Sequence, residues 1–73
     1  MTCRYSILIQ WSDEDHKYIV TLPEFHNNHT HGATYEAALK NAQEVLELLI
    51  KTYQDEGWPL PQPKTFDTTV SAA

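Results

Sequence analysis

A chain of 73 residues, 41% of them hydrophobic, has room for one small domain over 1–73 and no second. Ten acidic against five basic residues give a net charge of −5, which excludes the basic stripes that autonomous nucleic-acid binding needs and is compatible with a basic protein partner. The single cysteine, Cys3, excludes an internal disulfide, and the longest apolar runs (Val45-Leu46 and Leu48 to Ile50) fall far short of a membrane span. No signal-peptide core opens the chain, so a cytoplasmic protein is expected. A domain this small buries only about 60% of the surface its unfolded chain exposes, which makes a homo-dimer or tetramer, or a bound partner, a natural source of further stability.

Tyr5 to Trp11 alternate, with Tyr5, Ile7, Ile9 and Trp11 on one face and Ser6, Leu8 and Gln10 on the other, and so predict a half-buried strand. Asp13, Glu14, Asp15 and His16 make a polar turn. Lys17 to Leu22 resumes the alternation, completing an antiparallel hairpin with Tyr18, Val20 and Leu22 inward. Pro23 cannot donate a ladder hydrogen bond and closes the strand. A polar loop, His26 to His31, follows. Gly32 permits a sharp turn, Thr34 can cap a helix, and Glu36 suits the positive end of the helix dipole. Tyr35, Ala38, Leu39, Ala42, Val45, Leu46, Leu49 and Tyr53 then recur at helical spacing on one stripe. Lys40, Glu44, Glu47, Lys51 and Asp55 lie opposite, with Glu36–Lys40 and Glu47–Lys51 spaced as stabilising pairs. Leu48 falls off the stripe and Ile50 on its margin. Gly57 supplies the helix stop. Trp58 to Pro63 should be a stiff connection that lays Trp58 and Leu60 on the helix and sheet. Lys64 to Val70 has the composition of a last strand, or of a segment pairing across a dimer, and Ser71 to Ala73 is tail. The expected fold class is α+β, a small antiparallel sheet covered by one long helix.

Three sets of side chains invite a chemical reading. His26, His29 and His31, two to five residues apart, could converge on a transition metal, with His16 a less suitable fourth ligand. Structural zinc usually takes four ligands, so a site shared between subunits fits better than one within a chain, and a plain polar turn explains the same composition. Asp13, Glu14 and Asp15 could be carboxylates of a metal-dependent nuclease. Consecutive acids on a turn diverge, however, and the first strand carries none, so a solvated hairpin tip is the better reading. No nucleophile–base arrangement and no phosphate-cradling loop is present. The sequence carries no enzyme signature and calls for no cofactor.

The run from Tyr18 through Leu22-Pro23-Glu24-Phe25 to Gly32-Ala33-Thr34-Tyr35-Glu36-Ala37-Ala38 and the helix resembles the HicB family of antitoxins, over about Tyr5 to Lys64. The structural signals of the motif are Pro23, Gly32, Thr34 and Gly57. The resemblance implies a β-β-β-α-β order like a truncated ribonuclease-H-like fold, with a short third strand near His29 to Ala33, a core of about 4–64, and 65–73 as strand or tail. It also implies a protein-binding module that covers a small basic HicA-like toxin, an mRNA-cleaving ribonuclease. Many members carry a C-terminal DNA-binding domain; this sequence ends before one, so direct DNA binding is not expected. Asp13, Glu14 and Asp15 at the hairpin tip and Glu44, Glu47 and Leu48 on the outer helix face are the candidate partner contacts. The alternative is an orphan homo-oligomer of the same fold that binds metal through His26, His29 and His31.

Overall fold

A computed structural model describes residues 3–66. Three antiparallel strands in the order β1-β2-β3, β1 Leu8–Ser12, β2 Lys17–Leu22 and β3 Asn28–Gly32, form one sheet, and a single long helix, α1 Tyr35–Glu56, packs on it. The α+β class expected from the pattern is the class found. A last strand over 64–70 lies mostly outside the described residues; up to Phe66 the chain has no regular secondary structure.

The hairpin turns at Asp13 to His16. His16 takes a left-handed conformation (φ 53°) and returns its N–H to the Ser12 carbonyl at 2.8 Å. β2 projects Val20 and Leu22 into the core, both fully buried, as its alternation predicts. β1 is shorter than the expected Tyr5 to Trp11, and the cause is local. β2 ends at Leu22, and Pro23, which has no N–H to give a ladder, opens a 3₁₀ turn, Pro23–Phe25. Tyr5 and Ile7 therefore leave the ladder but still pack on the core. Two left-handed residues, His26 (φ 57°) and Asn27 (φ 55°), then reverse the chain into β3. The expected loop from His26 to His31 narrows to a tight turn, and the short third strand expected near His29 to Ala33 is found as β3.

Gly32 needs correction in its reason. It has no left-handed φ; only Gly57 does among the glycines. A Cβ at Gly32 would stand 2.4 Å from the Ala38 nitrogen and 2.7 Å from its Cα. Glycine is there because the helix backbone lies directly on the strand.

Thr34 caps α1, its Oγ1 accepting from the Ala37 N–H at 3.0 Å. Gly57 (φ 71°) ends it, with its N–H on the Gln54 carbonyl and the Trp58 N–H on that of Tyr53. The buried helix positions are Ala38, Ala42, Leu46 and Ile50, a strict i+4 series. Residues four apart advance about 400°, so the buried face drifts around the helix along its length. This corrects the expected stripe at both ends: Ile50 is core, whereas Tyr35 and Leu39 are exposed. The small residues Ala38 and Ala42 allow the close approach at Gly32. Phe25 fills the core between sheet and helix, edge-on to Tyr5 (4.8 Å) and Tyr53 (5.3 Å). Of the surface pairs, Lys51 joins Asp55 at 3.2 Å rather than Glu47. Among the described residues, no helix is long and apolar enough to cross a membrane.

Candidate partner-binding surface

The six candidate contacts fall on two separate patches. Asp13, Glu14 and Asp15 are exposed at the hairpin tip, and Glu44, Glu47 and Leu48 are exposed in the middle of α1. Tyr35 to Glu44 spans about 13.5 Å of helix axis, so the second patch begins two to three turns beyond the helix start. Leu48, 64% exposed, is the most open large apolar residue of the helix. Glu47 also lines a cleft of about 310 Å³ between the helix and the segment before β1, with Tyr5, Ile7, Gln43, Leu46 and Ile50.

The hairpin tip is not a bare acidic turn. Asp13 accepts a hydrogen bond from Trp11 Nε1 at 2.9 Å, and Asp15 exchanges hydrogen bonds with Ser12. Trp11 lies opposite Tyr18 in the register, with ring centroids 5.0 Å apart. Tyr18 in turn stacks on Tyr35, the first residue of α1, at 4.3 Å. A three-ring stack therefore bridges β1, β2 and the helix start beside the acidic turn. Trp11 shares the face expected from the alternation with Ile7 and Ile9 and is half exposed.

The histidines do not assemble. His26 sits in the tight turn, while His29 and His31 lie on β3 opposite Thr21 and Ile19. Among the described residues, no three His, Cys, Asp or Glu side chains group as a metal centre. The His31 carbonyl accepts from the Asn41 side chain at 2.7 Å, which ties β3 to α1. Cys3 is an exposed free thiol.

One residue was missed by sequence reasoning. Glu24, in the 3₁₀ turn, is 92% buried and yet carries a carboxylate. It accepts from the Ser6 N–H at 3.1 Å, the Ser6 hydroxyl at 3.0 Å and the Lys64 N–H at 2.8 Å. Burial alone would raise its pKa, but these donors outweigh it and hold the carboxyl below its ordinary value. Tyr5 completes the junction by donating its hydroxyl to the Pro61 carbonyl at 2.7 Å. Burial first, then the charges at Cys3 and Glu24, push its phenol up and keep it a donor. The available signal was an acid set between two core apolar residues, Leu22 and Phe25.

The molecule is thus a small α+β domain whose buried acid serves structure and whose exposed acids and aromatics face outward. The chain belongs to the HicB-like antitoxin family: residues 5–73 match the HicB_like antitoxin of bacterial toxin–antitoxin systems. Membership implies a toxin as partner and a regulatory rather than enzymatic role. No curated protein and no solved structure matches the chain.

Proposed function

We propose that this chain binds a small basic HicA-type mRNA-cleaving toxin and neutralises it by covering its active surface. The observation that carries the reading is the family match over 5–73. The net charge of −5 supports it, because complementary potentials accelerate encounter with a basic partner and disfavour wrong ones. On this reading the contacts are Asp13, Glu14 and Asp15 at the hairpin tip with Glu44, Glu47 and Leu48 on the helix. The β-β-β-α order is in keeping with a truncated ribonuclease-H-like fold.

The test is co-expression with the product of the adjoining reading frame, followed by complex mass and ribonuclease activity measured on the same preparation. A stoichiometric complex with silenced RNA cleavage is the expected result. A homo-oligomer that ignores its neighbour would sink the reading.

A further inference from the structure

The stack of Trp11, Tyr18 and Tyr35 is more exposed than folding alone requires. The cross-strand pair of Trp11 and Tyr18 stabilises the hairpin, and Tyr35 ties it to the helix. Yet Trp11 remains 49% and Tyr35 59% exposed. Tyr18 meets Trp11 edge-to-face at 67° and His16 stands edge-to-face to it at 6.5 Å, so they cover only part of the indole. One carboxylate touches this open aromatic surface, and three more lie close to its rings in the sequence. Asp13 holds the indole N–H at 2.9 Å, which fixes the ring's orientation and enriches its electron density. Glu14 and Asp15 are exposed in the same turn, and Glu36 follows Tyr35 on the first helical turn.

An exposed π-surface with an acidic rim at Asp13 suits a cation with a flat or slender apolar shaft. A guanidinium or ammonium group can lie over the rings while the acids neutralise it. A second copy of this chain, with its own net charge of −5, would bring acid against acid. Exposed Trp and Tyr beside such a rim are also the residue types that dominate binding energy at protein interfaces.

We propose that Trp11 and Tyr35, with Asp13, form a docking site for an arginine or lysine side chain on a basic protein partner. The proposal rests on the antitoxin reading for the partner's identity, and adds an aromatic anchor to the acidic contacts.

The experiment uses the full chain carrying Trp58→Phe, which leaves Trp11 as the sole tryptophan. It is titrated with the product of the adjoining reading frame while Trp11 fluorescence is followed. Binding should change the Trp11 signal. Tyr35→Ala and Trp11→Leu should each weaken affinity roughly ten-fold, and Trp11→Phe, which keeps a ring, by less. Alanine favours the helix at position 35, so the Tyr35→Ala chain stays folded, which circular dichroism checks. A tight, toxin-silencing complex in which Tyr35→Ala and Trp11→Leu bind like the parent would overturn the aromatic site and leave the antitoxin reading standing. A Trp11 signal that tracks the chain's own concentration without partner would assign the patch to a second copy and overturn the proposal. Absence of any complex would remove the antitoxin reading and this site together.

Discussion

At Gly32 and Gly57 the same residue type is required for opposite reasons, and the difference is measurable. An added Cβ at Gly32 meets helix backbone at 2.4 Å, which no rotamer change can relieve. Gly32→Ala should therefore cost roughly 3 kcal/mol or more, by forcing sheet and helix apart. Gly57 has open space around it and only its left-handed φ to defend, so Gly57→Ala should cost about 1 kcal/mol. Urea denaturation of the two variants checks the order; equal costs would refute the close-approach argument. Glu24 makes a second residue-scale prediction, with a pH signature. Its folded pKa lies below the ordinary carboxylate value of about 4.3. The stability it contributes is then full above that value and is lost as pH falls through the lower, folded pKa. Glu24→Gln should be destabilised by about 2 kcal/mol at neutral pH and should show a shallower loss of stability below about pH 4 than the parent. Thermal melts from pH 3 to 7 give both numbers.

Elements that depend on their own residues were legible in the sequence, and those that depend on distant partners were not. The helix is the clear case: Thr34, the apolar series and Gly57 mark its start, face and end within one segment, and the structure keeps the start and end and the centre of the face. Thr34→Ala should lower stability by about 1 kcal/mol through loss of the Ala37 N–H acceptor, with Thr34→Ser restoring it; thermal unfolding of the pair is the check. The hairpin was legible for the same reason, since β2 alternates and its turn is polar. The start of β1 was not, because the ladder stops where Pro23 on the facing strand has no N–H to offer. Glu24 was invisible because its donors come from 18 residues before and 40 after it. The exposure of Tyr35 and Leu39 was hidden too, since the turn of the helix that rests on the sheet is fixed by the contact of Ala38 with Gly32, which lies outside the helix pattern. Of the proposed binding surface, the acids could be read from the sequence, but the three-ring stack beside them required the strand register.

For the molecule as a whole, charge and fold persistence separate cleanly. The carboxylates at Glu44 and Glu47 are exposed and make no side-chain hydrogen bond among the described residues, so they act through the long-range field. Reversing both, Glu44→Lys with Glu47→Lys, should leave the melting temperature nearly unchanged. The same change should slow association with a basic toxin about ten-fold at low salt, a difference that shrinks as ionic strength rises. Stopped-flow association at two salt concentrations decides it, and an on-rate as fast and as salt-sensitive as the parent's counts against that surface. Persistence, in contrast, centres on the junction where Glu24 gathers Ser6 and Lys64. Those two segments are 58 residues apart, and bringing them together costs loop entropy that local hairpin and helix contacts do not. The junction should therefore close after the barrier to folding is crossed. Loosening it would then speed unfolding while leaving refolding almost untouched, the signature of an interaction absent from the transition state. Where a protease cuts faster than the chain recloses, the survival of one folded copy should therefore depend on a single carboxylate in a three-residue turn more than on how quickly the fold forms.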